Sequence, residues 1–553
     1  MIEVFTPEER AALGPYFTNL DGPVFALINL PEVVKGALFA RYSRSPKSLR
    51  RLFLDEFVND VGGEAPPPSP LMNDMGGETP PPSPPRLARG ATSVPNRGTK
   101  RAEELYERVF FEYGDDSVAQ LGGVHLACEG ASNILTKVLE WGRLMAYLEQ
   151  STRYVPYDDR PGGRWRYHVP AELEGALRER YVATLDRAFE RYATWLPRLR
   201  EFYQVKFPRA PGDSETVYRM TIRAKALDTL RGLLPAATTS HVGIYGTGQA
   251  YEQLLLRMRA HPVAEIRHCA DLMLAELRKV IPAFLRRVDL PDRGGVWSDY
   301  LAETREATQK AAERVLADVE PAPRPEVMLT DFDPEGEVKV VAAALYAVSS
   351  LADDQLLAAA RRMSREERLA VLQAYVGRRR NRRHKPGRAF ERTSYRFDVL
   401  GDYGAFRDLQ RHRLLTLEWQ RLTPRHGYVL PEAVDEVGAA ADWRRTMEES
   451  AALYDAVTAA GLPDVASYAV AMACRVRFYM EMNAREALHV IELRSAPQGH
   501  PAYRRICQAM HRLIAERAGH HAIAAAMSFA DHSEVELERL EAERAAERRR
   551  SRP

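Results

Sequence analysis

Residues 410–413 read Gln410-Arg411-His412-Arg413. Two planar guanidinium forks and an imidazole within one turn suit phosphates or the edge of an electron-rich ring. The same letters also suit an inert surface cluster. Further on, Met482-Asn483-Ala484-Arg485-Glu486 precedes Ile491-Glu492-Leu493-Arg494. Asn483 and Arg494 lie three helical turns apart, so both fall near one face. An amide and an Arg placed there read a polar ring edge, or else form a helix cap and an exposed Arg. Earlier in the chain, Glu149-Gln150-Ser151-Thr152-Arg153-Tyr154 offers backbone N–H groups, two hydroxyls and a guanidinium, the parts of a phosphate cradle. No His lies near Ser151 in sequence, so a Ser–His nucleophile is not supported. Glu149 has the chemistry of a base, but a carboxylate beside Arg153 is more often its ion-pair partner.

Helices and strands must hold these groups. Apolar spacing predicts long amphipathic helices over 171–205 and 214–232, the second ending at Arg231. Shorter helices are expected over 101–113, 117–128 and 248–260, the last ending near Arg259, with 262–288 following. A Pro-spaced passage, 318–327, reads as a linker. Beyond it, 353–376, 443–460, 463–482, 485–493 and 501–518 read as helices, and 392–400 alternates like a strand. The last twenty residues read as a charged, solvated helical tail. Residues 61–100 carry Gly-Gly-Glu-x-Pro-Pro-Pro-Ser-Pro twice and read as a flexible insert.

Composition sets the outer bounds. The chain has 553 residues, 45% hydrophobic and 28% charged, which is an ordinary globular mixture and long enough for two or three domains. Its 78 basic and 76 acidic residues leave a formal charge of +2, so a whole-chain grip on nucleic acid is not expected. Four dispersed cysteines without C-x-x-C spacing argue against a zinc ribbon or a disulfide framework and fit a reducing cytoplasm. No apolar run approaches membrane length, and no metal site is expected.

Taken together, these segments resemble the flavin-dependent thymidylate synthases, whose signature is Arg-His-Arg, seven residues, then Ser, with later Asn-Ala-Arg and Leu-Arg motifs. The resemblance runs through the chain twice, over roughly 26–290 without the insert and over 326–530. In the first copy Trp141-Gly142-Arg143 stands for Arg-His-Arg, and Ser151 and Arg153-Tyr154 are in place. Arg231 and Arg259 match later arginines, Gly248-Gln249-Ala250 replaces Asn-Ala-Arg, and Asp115 replaces a flavin-side His. In the second copy Arg411-His412-Arg413, Phe390-Glu391, Asn483-Ala484-Arg485 and Leu493-Arg494 are complete. There Arg421 sits at the Ser spacing, and Ser467 replaces the helix Arg.

The resemblance implies an α+β fold of two tandem domains, each a small sheet flanked by long helices. The expected divisions are 1–317 with the insert, a linker over 318–327, 328–532, and a tail over 533–553. It implies reductive methylation of dUMP to dTMP with methylenetetrahydrofolate, FAD and NADPH, at composite sites between the halves. Arg494 and Arg259 would polarise a pyrimidine carbonyl. Glu149, Ser151, Thr152, Arg153 and Arg231 would bind dUMP. Arg411, His412, Arg413, Glu391, Asn483 and Arg485 would seat FAD. A homodimer forming a pseudo-tetramer is the expected assembly, with no membrane and no nucleic-acid partner. The competing expectation is a catalytically inactive descendant that keeps nucleotide or flavin affinity.

Overall fold

A computed structural model describes residues 3–58, 120 and 122–550. The Pro-rich insert of 61–100, the helix expected over 101–113 and residues 113–117 lie outside the described residues. Two four-stranded antiparallel sheets organise the chain. The first contains β1 (Val24–Leu27), β2 (Gly123–Ser132), β3 (Met145–Glu149) and β4 (Thr239–Thr247), in the order β1-β2-β4-β3. The second contains β5 (Val327–Phe332), β6 (Ser394–Asp402), β7 (Thr416–Trp419) and β8 (Arg475–Asn483), in the order β5-β6-β8-β7. The two halves therefore repeat one strand order.

The helices repeat as well. In the first half α1 (Asn133–Leu139) follows β2. Then come α2 (Gly175–Lys206), α3 (Glu215–Leu230), α4 (Gly248–Arg259) and α5 (Ala264–Leu277). In the second half α6 (Tyr403–Leu409) follows β6, with α7 (Ala440–Ala459), α8 (Ala484–Arg494) and α9 (Pro501–Glu516) after it. Side-chain caps fix the starts of related helices. Ser132 accepts from Leu135 N–H at the start of α1, and Asp402 accepts from Ala405 N–H at the start of α6. Thr247 caps α4 and Asn483 caps α8 in the same way. Each cap satisfies an N–H that the helix leaves without a partner.

Two expected helices are strands. The described part of 117–128 enters β2 at Gly123, and 463–482 contains a short turn and then β8. In β8 the buried Val476, Phe478, Met480 and Met482 alternate with Arg475, Arg477, Tyr479 and Glu481, a period of two that only a strand can bury on one face. The tail also differs from expectation. Helix α10 (Leu540–Arg550) lies along α3, with Arg544 paired to Asp213 and Lys225 to Glu538.

The halves meet along segments 232–237 and 468–473. Ala236 N–H donates to Val470 O at 2.8 Å and Met472 N–H to Leu234 O at 2.9 Å, so the pairing is reciprocal about Pro235 and Ala471. Helices α2 and α7 pack alongside, with Arg191 forked onto Glu449 at 2.9 and 3.0 Å. One continuous apolar core runs through both halves. Backbone hydrogen bonds between the halves and a shared core join them into a frame for a site built from both sides.

Candidate functional site

Strand β3 ends at Glu149, whose carboxylate is fully buried. Its side chain points at α6 of the other half. Arg407 in α6 and Arg411, two residues past its end, are four residues apart and turn toward the same carboxylate. Arg407 Nη2 donates to Glu149 Oε1 at 2.9 Å and Arg411 Nη2 to Oε2 at 2.8 Å. Lys137 of α1 lies 3.5 Å away and also pairs with Glu140 at 2.8 Å. Burial alone would push the Glu149 carboxyl up. Arg407, Lys137 and Arg411 outweigh that and hold it well below the usual carboxylate range. The ion pair expected between Glu149 and Arg153 does not form, because the strand sends the two side chains to different walls.

Arg153 instead meets Asp228, near the end of α3. Its Nε lies 2.8 Å from both carboxylate oxygens, and its Nη1 donates to Tyr503 OH at 3.1 Å. The loop is less open than a phosphate cradle. Ser151 N–H donates to Ser43 O, Arg153 N–H to Ser151 Oγ, and Tyr154 N–H to Ser151 O. Thr152 is buried.

Arg231, just past the end of α3, reaches across the junction to Asp408 of α6, with Nη1 at 3.5 Å from Oδ2. Arg411 approaches the other oxygen of Asp408 at 3.9 Å. Burial raises the Asp408 carboxyl, and Arg411, Arg231, Arg494 and Arg153 drive it far below the usual range. Arg494, the last residue of α8, donates from Nε to His412 Nε2 at 2.9 Å. That bond makes Nε2 the acceptor and places the ring proton on Nδ1, which faces Glu486 at 3.7 Å. Burial, and then Arg494, keep His412 neutral. Burial and Arg231 push His500 down to about 3. Arg153, Arg231, Arg411, Arg494, His412 and His500 thus form one cluster drawn from both halves. Arg231 Nη2 and Arg411 Nε are buried without a hydrogen-bond partner among the described residues.

The residues expected to seat the flavin divide. Arg411 is turned to Glu149, and the Asn483 side chain is spent on the cap of α8. Glu391 pairs with Arg388 and Arg485. His412 and Arg413 remain on a cavity of about 390 Å³ that also takes Trp141, Arg257 and Gln410. Arg413 donates to Met145 O. Gln410 is buried, and its Oε1 has no partner among the described residues. Beside it, burial lifts the Glu486 carboxyl to about 7 against Lys385, Arg485 and Arg413, and lowers His489 to about 4. His412, Glu486 and His489 hold their ligand atoms within 4.8 Å of one another. The arginines and the lysine around them oppose a cation and favour an anion.

The repeated architecture provides a second, related place, and there several of these groups are replaced. Counted from the caps, Trp141 stands at the position of Arg411, Gly142 at that of His412 and Lys137 at that of Arg407. Glu149 pairs with Val242 in its sheet, and Trp419 pairs with the related Phe478. Trp419 therefore replaces Glu149, and Thr423 replaces Arg153. It packs edge-on against Trp141, with ring centroids 5.6 Å apart. Ser467 replaces Arg231 and donates to Leu422 O at 2.9 Å. The cap also corrects a register. Thr247-Gly248-Gln249, not Gly248-Gln249-Ala250, matches Asn483-Ala484-Arg485, and the buried Met258 matches Arg494. Arg259 lies one position beyond, outside the cluster, and pairs with Asp271. Its expected place at the pyrimidine is not supported by this geometry.

A second cavity, of about 490 Å³, opens beside Arg231, Asp228 and His500, with Trp443 and Met472 among its apolar walls. The chain's C-terminal passage closes one side of it with Val535, Glu536 and Glu538. Arg539 lies over the Tyr154 ring at 4.5 Å. Sequence reasoning did not single out Arg407, Asp228, Asp408, His500 or Glu538. Only the i, i+4 spacing of Arg407 and Arg411 was visible in the sequence as a signal.

The family profile of the thymidylate synthase complementing proteins matches residues 83–283 and again 328–518. The chain is 37% identical to the UPF0159 protein of Chlamydia muridarum (strain MoPn / Nigg) over 542 residues, covering 98% of each. It is 30% identical to the UPF0159 protein Ta1429 of Thermoplasma acidophilum over 475 residues, 80% of this chain and 92% of that protein. It is 31% identical to a flavin-dependent thymidylate synthase of Mycobacterium sp. (strain JLS) over 195 residues, 34% of this chain and 72% of that protein.

Proposed function

The chain belongs to the thymidylate synthase complementing protein family, and from that premise we propose that it is a flavin-dependent thymidylate synthase with one composite site, converting dUMP to dTMP. The observation that carries this reading is the buried bridge from Glu149 to Arg407 and Arg411. It draws Arg153 and Arg231 of the first half up to Arg494 and His412 of the second.

On this reading Arg153 and Arg231, with Ser151 and Thr152, take the nucleotide phosphate and sugar edge. Arg231 Nη2, buried and unpartnered, is a donor ready for that anion. Arg494 faces the pyrimidine. His412 accepts from its Nε, which leaves the two terminal nitrogens for a ring carbonyl oxygen. A permanently charged guanidinium held there stabilises charge that develops on that oxygen during the reaction. Neutral His412 holds Arg494 without adding a competing charge.

The residues on the flavin side suit FAD. Among the described residues Gln410 Oε1 is an unpartnered acceptor on a cavity with His412 and Arg413, suited to an N–H of a ring edge, and Lys385 and Arg485, near Glu486, add positive charge suited to a pyrophosphate. Reduced FAD, recharged by NADPH, would supply the hydride, and methylenetetrahydrofolate the carbon. The partner in the assembly is a second copy of the chain, which gives four halves as in the family's tetramers. The exposed Val296, Trp297 and Tyr300 are apolar surface that such a pairing would cover. Four buried free cysteines suit a reducing cytoplasm, and among the described residues no helix is long and apolar enough to cross a membrane.

One observation favours the second reading, an inactive binding descendant. Asp228 and Asp408 already offset the charges of Arg153 and Arg231. Formation of dTMP from dUMP with methylenetetrahydrofolate, FAD and NADPH decides between the two. Product formation supports the enzyme, whereas tight flavin or dUMP binding without product supports the descendant.

A further inference from the structure

We propose that Gly404 is a positioning residue for Arg231 and so helps confine nucleotide binding to one of the two related places in the chain. The inference rests on the nucleotide reading of the cluster.

Gly404 sits in the first turn of α6. Its backbone does not need glycine, because it is absent from the glycines with positive φ. Glycine in a helix costs stability relative to alanine, so space is the remaining reason for it. A Cβ on Gly404 would lie 3.0 Å from Arg231 Nε, 3.1 Å from Arg231 Nη2 and 3.0 Å from Oδ1 of the capping Asp402; the related cap Ser132 stands beside Ile134, so it is the guanidinium that distinguishes the two places. The Arg231 side chain therefore passes close to the bare backbone of α6 at Gly404. From there its Nη1 reaches Asp408, one turn further along the same helix. A side chain at 404 pushes the fork outward from this track.

The chain contains its own comparison. At the related position in α1, two residues after the cap Ser132, stands Ile134, partly buried against the core. At the position related to Arg231 stands Ser467, whose hydroxyl donates to Leu422 O. Glycine accompanies the arginine, and isoleucine accompanies the serine. The pairing follows from volume. A guanidinium laid on a helix excludes a branched side chain beneath it, and removing the guanidinium leaves room for one.

The test uses the full chain with dUMP and FAD as separate probes, read by titration calorimetry and thermal melting. Gly404→Ile should weaken dUMP binding at least tenfold, about as much as Arg231→Ser, and leave FAD uptake unchanged. Gly404→Ala, which asks the fork to move only a few tenths of an ångström, should fall between. Arg231→Ser combined with Gly404→Ile recreates the Ile134–Ser467 pair. It should bind dUMP no worse than Arg231→Ser alone and melt above Gly404→Ile alone. Wild-type dUMP affinity in Gly404→Ile, or a double variant that melts no higher than Gly404→Ile, overturns the proposal. If the unaltered chain does not bind dUMP, the nucleotide reading fails. The melting comparison still tests the packing of Arg231 on Gly404.

Discussion

Arg411 Nη2 donates to Glu149 Oε2 at 2.8 Å, and the two residues come from opposite halves of the chain. With Arg407 on the other oxygen, the pair closes the junction around a carboxylate that has no contact with solvent. Glu149→Gln removes that charge and leaves the buried Arg407 without its carboxylate, while Lys137 keeps Glu140 and Arg411 keeps only the distant Asp408. Breaking a buried bridge on one side costs about 3–5 kcal/mol. Denaturant unfolding should show a loss of that size. A loss of less than about 1 kcal/mol would mean that the bridge does not secure the halves.

Arg231→Ala should weaken dUMP binding at least tenfold and spare flavin uptake, because Arg231 lies on the Asp408 side of the cluster and off the cavity that holds His412 and Arg413. Loss of flavin with intact dUMP affinity would reverse the assignment of the two faces.

Glu486 gives a pH signature. Its folded carboxyl titrates at about 7 against an ordinary 4.5, chiefly through burial. The neutral form suits its surroundings, so its contribution to stability is complete below about pH 4.5. That contribution is lost as pH rises through about 7, at a rate approaching 1.4 kcal/mol per pH unit in between. Glu486→Gln keeps the neutral form at all pH values. Urea unfolding should therefore show the variant gaining on the unaltered chain between pH 5 and 8. A constant difference between the two across that range would contradict the buried neutral carboxyl.

The C-terminal passage crosses from α9 to α3 over the larger cavity. Lys225–Glu538, Arg544–Asp213 and the Arg539–Tyr154 contact hold it there. Salt weakens such half-buried ion pairs, though less than fully exposed ones. Removing residues 534–553 should raise the dUMP dissociation rate about tenfold in stopped-flow measurements, and 1 M salt should have the same direction of effect on the full chain. Dissociation rates unchanged by the truncation would show that this passage does not gate the cavity.

Much of the site could be read from the sequence because its motifs are local. Arg411-His412-Arg413 and the Ser151–Tyr154 loop are contiguous, and helices α2, α3 and α8 carry clear 3.6-residue patterns. The partners were not legible. Glu149 and Arg153 are sequence neighbours, yet their side chains leave for Arg407 and Asp228, more than seventy residues away in each case. Strand β8 was hidden by the alanine-rich run before it, which reads as helix although Val476–Met482 alternates with a period of two. The place of Arg259 failed by a single residue. Only the Thr247 cap shows that Met258 takes the position of Arg494, and capping geometry fixes register where residue spacing does not. The tail read as solvated because its composition is charged, but Glu538 and Glu543 are buried against the first half.

One site per chain, built from both halves, is the central claim. Calorimetric titration of the full chain with dUMP tests it most directly, repeated with Arg153→Ala in the first half and Arg494→Ala in the second. The account predicts one dUMP per chain and at least a tenfold loss of affinity from either substitution. Two dUMP per chain, or full affinity after the loss of Arg494, would contradict it.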